Sequence, residues 1–330
     1  MDALIDEGFG LRRCIAQGML DCSQKLASRS SLVAKSVIWR ISTSAVKMLG
    51  ASQSFVKCDV YGRTFDVPGD LELASVLSRC PGYGRNLERL SATIARKYPD
   101  APMIDVGANV GDTAVLMRRG ASGPILCIEG SPRYAALCRR NLESIPRVTV
   151  VNAFVDTGRA INARIDENKG SGSAVFDETC ETPTYSLAQA AAQFGFTDAK
   201  LVKIDTDGFD GRIIQAALPW LSSAQPVLFW ELDLTSDEAH SGPGLDVLGS
   251  LAEIGYDQLM FYSNTGDYIL TADALDSDLL DDLTWYTSKR ANRLRVPPAY
   301  ADVCAFPRMD QDLAVELRAR ERRTRSASAV

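Results

Sequence analysis

Met103-Ile104-Asp105-Val106-Gly107-Ala108-Asn109-Val110-Gly111-Asp112-Thr113 is the stretch whose reading decides the fold. A short apolar run leads through Asp105 to Val106, and a helical pattern begins at Asp112 or Thr113, both good helix N-cap residues. Between them Gly107 and Gly111 turn the chain, where a left-handed turn and close approach of a ligand both penalise a Cβ. The spacing is G-x-x-x-G around Asn109, so the dinucleotide fingerprint G-x-G-x-x-G is absent. A pyrophosphate is also poorly served, because Asp105 would stand as an anion at the mouth of the loop. A cationic ligand suits that acid better, and S-adenosylmethionine offers an ammonium, a sulfonium and an adenosine without any phosphate.

The next apolar run, Ile125-Leu126-Cys127-Ile128, ends in Glu129, about 20 residues after the loop, where a Rossmann-like sheet places its ribose-binding acid. Glu129 is therefore the expected ribose ligand. Ser131 and Pro132 open a helix running to about residue 144, with proline at its favoured first position. From Met103 onward strand and helix alternate, with a third strand over 148–155, which implies a parallel, doubly wound sheet. Residues 156–180 interrupt the rhythm as a polar, glycine-bearing hairpin over the sheet edge, and a helix over 186–194 ends at Gly195. Two further apolar runs finish in acids: Leu201 to Asp205, and Val227 to Leu232 with Glu231. Ligands bind beyond the carboxyl ends of such strands, so Asp105, Glu129, Asp205 and Glu231 are expected along one rim. A hairpin crosses 264–266, and residues 301–306 form a last strand stopped by Pro307.

A chain of 330 residues with 46% hydrophobic and 24% charged residues can bury one large α/β core. The net charge of -6 argues against nucleic acid as the main partner. No apolar run reaches a membrane span and no cleavable leader is visible, so the expected location is cytoplasmic. The eight cysteines include no C-x-x-C pair and read as reduced core residues. A single histidine, His240, excludes mechanisms that need two and any histidine-rich metal site.

Three segments are expected. Residues 1–54 form an N-terminal helical extension with a basic amphipathic character, suited to a partner subunit, to the catalytic body or to an anionic membrane surface; a homodimer is compatible with it. Residues 55–310 form the catalytic domain with a lead-in hairpin around Tyr61-Gly62, and residues 311–330 a charged, solvated tail.

Once the loop Asp105 to Gly111 is set beside Val202-Lys203-Ile204-Asp205-Thr206-Asp207-Gly208-Phe209-Asp210, the chain resembles the FkbM family of S-adenosylmethionine-dependent methyltransferases. The family's K-I-D-x-E-G-x-E pattern appears with Asp207 and Asp210 in place of glutamates, and its T-L-D appears as Ser186-Leu187-Ala188. The resemblance covers roughly residues 55–306. It implies a Rossmann-like seven-stranded class I methyltransferase sheet, last strand antiparallel, and O-methylation of a hydroxyl on a sugar, glycan or natural product. It carries Asp105, Gly107, Asn109 and Gly111 to the methionine portion of the cofactor, Glu129 to its ribose and Asn152 to the adenine edge. It also makes Asp205 the rim acid nearest the methyl group.

Methyl transfer to an alcohol is helped by a general base. Asp205 is the first candidate, as base or as orienter of the hydroxyl; its alternative is a rim acid that holds a helix N-terminus or Lys203. His240, in the loop after the fifth strand, is the second, against a solvated surface histidine. Lys203 pairs with an acid or holds an anionic substrate. Magnesium on Asp205, Asp207, Glu231 and Asp233 is disfavoured because no coordination geometry is readable. Trp220, Trp230 and Tyr262 either stack on a sugar or belong to the core. Two other functions compete: a noncatalytic cofactor-binding regulator, which needs no acids on the fourth and fifth strands, and a nicotinamide-dependent oxidoreductase or epimerase, which needs the missing middle glycine.

Overall fold

A computed structural model describes residues 55–68, 73–157, 163–166, 173–176, 182–233, 242–274, 276–283 and 300–328. The expected N-terminal helices and His240 lie outside the described residues. The chain divides into two compact units, one ending at Tyr83 and also holding residues 167–172, the other built from residues 84–166 and 173–330.

In the first unit β1 (Phe55–Val60) and β2 (Arg63–Pro68) form the expected antiparallel hairpin, followed by α1 (Leu73–Arg79). Tyr61 and Gly62 turn it with positive φ.

The second unit begins with α2 (Arg85–Lys97). Its sheet strands are β3 (Met103–Val106), β4 (Ile125–Glu129), β5 (Val148–Asn152), β10 (Leu201–Ile204), β11 (Val227–Leu232), β12 (Tyr256–Ser263), β13 (Tyr268–Asp273) and β14 (Ala301–Pro307). They run in the order β13-β12-β14-β11-β10-β3-β4-β5. Pairing is parallel from β5 across to β11, and β14 lies antiparallel between β11 and β12. The sheet has eight strands where seven were expected, because the hairpin after β12 adds β13 to the edge rather than standing outside the sheet. The expected third strand breaks at Ala153, and its last part, β6 (Phe154–Val155), pairs with β9 (Thr184–Tyr185). The insertion contains the antiparallel pair β7 (Ala163–Asp166) and β8 (Ser173–Phe176).

The helices lie on two faces. On one, α2 packs on α3 (Asp112–Gly120) and on α8 (Gln311–Ser328). The other carries α5 (Leu187–Phe194), α6 (Asp210–Ala224) and α7 (Asp246–Glu253), packed in sequence. Alternate strand residues such as Ile104, Val106, Val202, Ile204, Leu228 and Trp230 join Ile213, Ile214, Val247 and Leu251 in one core. Each such side chain contributes roughly 1.5–3 kcal/mol by leaving water. Local chemistry agrees with the elements: Ser131 caps α4 (Pro132–Leu142) by accepting from the Tyr134 amide, and Ser186 with Gln189 closes a capping box on α5.

The C-terminal residues depart from expectation. In place of a solvated tail, α8 buries Leu313, Ala314 and Leu317. It is tied to α2 by Arg89 Nε on Glu321 Oε1 at 2.8 Å, by Lys97 on Asp312 at 2.6 Å and by an Arg96–Glu316 pair. The arginine run hides a helix whose apolar stripe is thin and whose docking is largely ionic.

Candidate functional site

Strand register assigns the carboxylates to two depths. Asp105 pairs with Lys203 and Cys127 in one row across the sheet, and Val106 with Ile204 and Ile128 in the next. Glu129 and Glu231 belong to the following row and Asp205 leaves the end of β10, so these three reach the rim while Asp105 stays one side-chain layer below. The expectation of four acids on one rim is corrected to three above one.

Asp105 is fully buried. Lys203 Nζ lies 3.1 Å from its Oδ1, and Thr113 Oγ1 donates to its Oδ2 at 2.5 Å. The same ammonium sits 3.2 Å from Asp205 Oδ2 and donates to the Gly107 carbonyl at 3.3 Å. Lys203 thus ties β3, its following loop and the end of β10 together. Burial works against its charge, but Asp105, Asp205 and Asp112 outweigh that and hold its pKa well above the usual lysine value. At 2% exposure it is a structural cation, not a surface for an anionic substrate.

The glycine loop is shaped by packing. Gly107 has φ +75°, and a Cβ there would stand 1.8 Å from the Asp205 carbonyl oxygen, so β3 and β10 approach only with glycine. Gly111, at φ +93°, is the N-cap of α3 and would drive a Cβ into Leu142; the expected side-chain cap at Asp112 or Thr113 is replaced by this left-handed turn. Asn109 also has positive φ, +47°, and its Oδ1 is buried with no hydrogen-bond partner.

Glu129 gathers that loop onto the next one. Its Oε2 accepts from the Asn109 amide and its Oε1 from the Ser131 amide, both at 2.8 Å. Burial raises its pKa to about 7, against the pull of those two amides. Asn152 is used locally, donating both Nδ2 hydrogens at 2.9 Å to the Glu129 and Gly130 carbonyls. Only its Oδ1 is left for an adenine edge.

At the far side of the rim Asp205 is half-exposed. Asp210 Oδ2 accepts from the Thr206 amide at 3.1 Å and its hydroxyl at 2.8 Å, which closes the turn into α6; burial, then Asp205, raises its pKa to about 7. Asp302 stands directly opposite Glu231 in the antiparallel β11–β14 pair. Burial, then Asp205, lifts Asp302 to about 8, and burial with the neighbouring carboxylates raises Glu231 strongly. Sequence reasoning missed Asp302 and Thr113: Asp302 has no motif, and only the antiparallel topology brings it to this rim. Trp230 and Tyr262, at 1% exposure each, are core residues and not sugar platforms, and Trp220 packs against the core. Among the described residues no three His, Cys, Asp or Glu side chains could hold a metal ion.

The strand order, with parallel pairing from β5 to β11 and an antiparallel β14 inserted between β11 and β12, defines the class I S-adenosylmethionine-dependent methyltransferase fold. Residues 105–257, a segment that holds the glycine loop, Glu129 and the Lys203 motif, match the model of the methyltransferase FkbM domain. No curated protein matches the sequence. Among solved structures, the chain is similar to precorrin-6y C5,15-methyltransferase from Geobacter metallireducens GS-15 (15% identity, 67% of this chain and 87% of that one, TM-score 0.36). It is also similar to an O-methyltransferase from Bacillus cereus in complex with SAH (13% identity, 68% and 80%, TM-score 0.36).

Proposed function

We propose that the chain is an S-adenosylmethionine-dependent O-methyltransferase acting on a hydroxyl of a sugar, glycan or natural product. The observation that carries this reading is the Lys203 junction, which fixes the glycine loop and the half-exposed Asp205 as one unit inside the family-matched segment. The residues fit the cofactor: Glu129 keeps free lone pairs for the two ribose hydroxyls, and the orphaned Asn109 Oδ1 lacks a donor beside the loop. The loop from Gly107 to Gly111 holds the methionine portion, and Asn152 Oδ1 is the remaining acceptor near the adenine.

When bound, S-adenosylmethionine supplies an electrophilic methyl group. Asp205 orients the acceptor hydroxyl and takes its proton, while Lys203, 3.2 Å from its Oδ2, holds that carboxylate in place. Asp105 acts through Lys203 and is a positioning residue. The apolar sheet beneath the rim excludes water from the reacting pair. His240, outside the described residues, is the second candidate base.

The test is methyl incorporation from labelled S-adenosylmethionine into a panel of sugars and polyhydroxylated natural products. Label transfer that falls at least tenfold in Asp205→Asn supports the proposal; turnover of NAD with the same panel and no methyl transfer overturns it.

A further inference from the structure

Residues 318–325 hold five arginines and one glutamate, in a chain whose net charge is -6. Within α8 the contacts divide these side chains between two faces. Leu313, Ala314, Leu317 and Glu321 are buried, and Arg320 turns inward to the Arg89 carbonyl and Thr93 Oγ1. The opposite face carries Val315, Arg318, Ala319, Arg322 and Arg323, all exposed. At about 100° per residue Val315, Ala319 and Arg322 form its midline, with Arg318 and Arg323 on the two sides. Glu321, the single acid of the run, is 2% exposed and bound to Arg89, so over residues 317–324 the outer face presents cations alone. Arg318 and Arg323 form no ion pair among the described residues.

Helix-end electrostatics does not account for these cations. The field that favours them at a helix C-terminus fades within its last turn, and α8 runs on to Ser328, so Arg318, Arg322 and Arg323 stand ahead of it. Arg318 and Arg322 are also four residues apart, a like-charge spacing that weakens a helix. An anionic surface laid on this face turns that repulsion into attraction.

A second feature of the same face is apolar. The large apolar side chains left exposed among the described residues are Ile269, Met309 and Val315; Val315 is 64% exposed in line with the arginines, and Met309, at 57%, stands just ahead of α8. A cationic helix face with apolar groups on its midline suits a bilayer interface, where arginines reach lipid phosphates and apolar groups enter the acyl boundary. A nucleic acid would leave Val315 and Met309 in water and finds no aromatic side chain on α8 for stacking. Position follows from the packing: α8 runs antiparallel to α2, Asp312 meeting Lys97 and Glu321 meeting Arg89. The arginine-bearing half therefore lies toward the start of α2, where Asn86 reaches Asp302 at the rim.

We propose that the outer face of α8 docks the protein on an anionic phospholipid bilayer, with Arg318, Arg322 and Arg323 on the phosphates and Val315 at the acyl boundary. Docked in this way, the rim end of the sheet stands beside the membrane surface. The contact is electrostatic in reach and is weakened by salt.

The test is flotation of the full-length protein with vesicles of phosphatidylcholine alone or mixed equally with phosphatidylglycerol, at low and high salt, beside a gel-shift assay with a DNA duplex. Partition onto the mixed vesicles at low salt is expected, with none onto phosphatidylcholine and release at high salt. Arg318→Glu combined with Arg323→Glu is expected to weaken partition about tenfold or more, and Val315→Ser about threefold, with parent-like urea midpoints. Should the double charge reversal misfold, Arg318→Gln with Arg323→Gln supplies the comparison and is expected to weaken partition in the same direction. Residues 1–54 are also rich in Lys and Arg, so partition unchanged in the folded arginine variant assigns the contact elsewhere and overturns the proposal. Partition unchanged in Val315→Ser, equal partition onto phosphatidylcholine, no partition at all, or DNA binding without vesicle binding overturns it as well. None of these readouts uses methyl transfer, so the proposal stands or falls apart from the catalytic one.

Discussion

Replacing Asp302 by asparagine should stabilise the protein, and only at high pH. In the folded chain burial and Asp205 lift the Asp302 pKa from 3.8 to about 8. The sign follows from which state holds the proton. Below about pH 3.8 the carboxyl is neutral in both folded and unfolded chains and costs nothing. As pH rises toward 8 the unfolded chain ionises freely while the folded one resists, so stability is lost across that window. The shift of 8 − 3.8, roughly four units, sets an upper bound of about 6 kcal/mol at about 1.4 kcal/mol per unit. Partial exposure and relaxation of Glu231 reduce this to about 2 kcal/mol. Asparagine keeps the shape, removes the charge and still offers an oxygen to Asn86. Urea denaturation of Asp302→Asn against the parent at pH 8 and at pH 4 reads the difference directly. A gain of about 2 kcal/mol at pH 8 that vanishes at pH 4 is expected. A variant less stable than the parent at pH 8, or a gain of the same size at both values, refutes the picture of an uncompensated carboxyl pair.

Other perturbations address the junction and the helix packing. Lys203→Met leaves Asp105, fully buried, without its counter-charge, and urea denaturation at neutral pH should show a loss of about 3–5 kcal/mol; a loss below about 1 kcal/mol contradicts the junction. Gly107→Ala puts a Cβ 1.8 Å from the Asp205 carbonyl at a φ of +75°, so thermal melting should report a loss of about 3 kcal/mol together with weaker S-adenosylmethionine binding, and parent-like behaviour would count against a packed loop. Glu321→Ala strands Arg89 beside a buried surface and should cost about 2 kcal/mol in chemical denaturation; an unchanged midpoint would mean that α8 contributes little to α2.

The strand-loop-helix unit was legible because its signals are local: an apolar run, two glycines at fixed spacing, and Ser131-Pro132 opening the next helix. Glu129 was legible for the same reason, standing at the end of a strand at a known distance from the loop. The depth of Asp105 was not, since a strand's end in sequence does not say which residue meets which across the sheet; register with Lys203 decides that. Asp302 was invisible because its significance depends on β14 lying antiparallel beside β11, a long-range pairing without a local code. The C-terminal helix was misread because charge density suggested solvation, while Leu313, Ala314 and Leu317 recur at helical spacing ahead of the arginine run and bury on one face. Asn152 shows the reverse limit: its place at the end of β5 was readable, but its commitment to two loop carbonyls is a matter of geometry.

The most direct test of the central claim is calorimetric titration of the purified protein with S-adenosylmethionine at pH 8, where Glu129, raised to about 7, is ionised. Micromolar binding that is lost in Glu129→Ala, with no heat from NAD, is the predicted result. Binding of NAD and not of S-adenosylmethionine, or S-adenosylmethionine affinity unchanged in Glu129→Ala, would contradict the account.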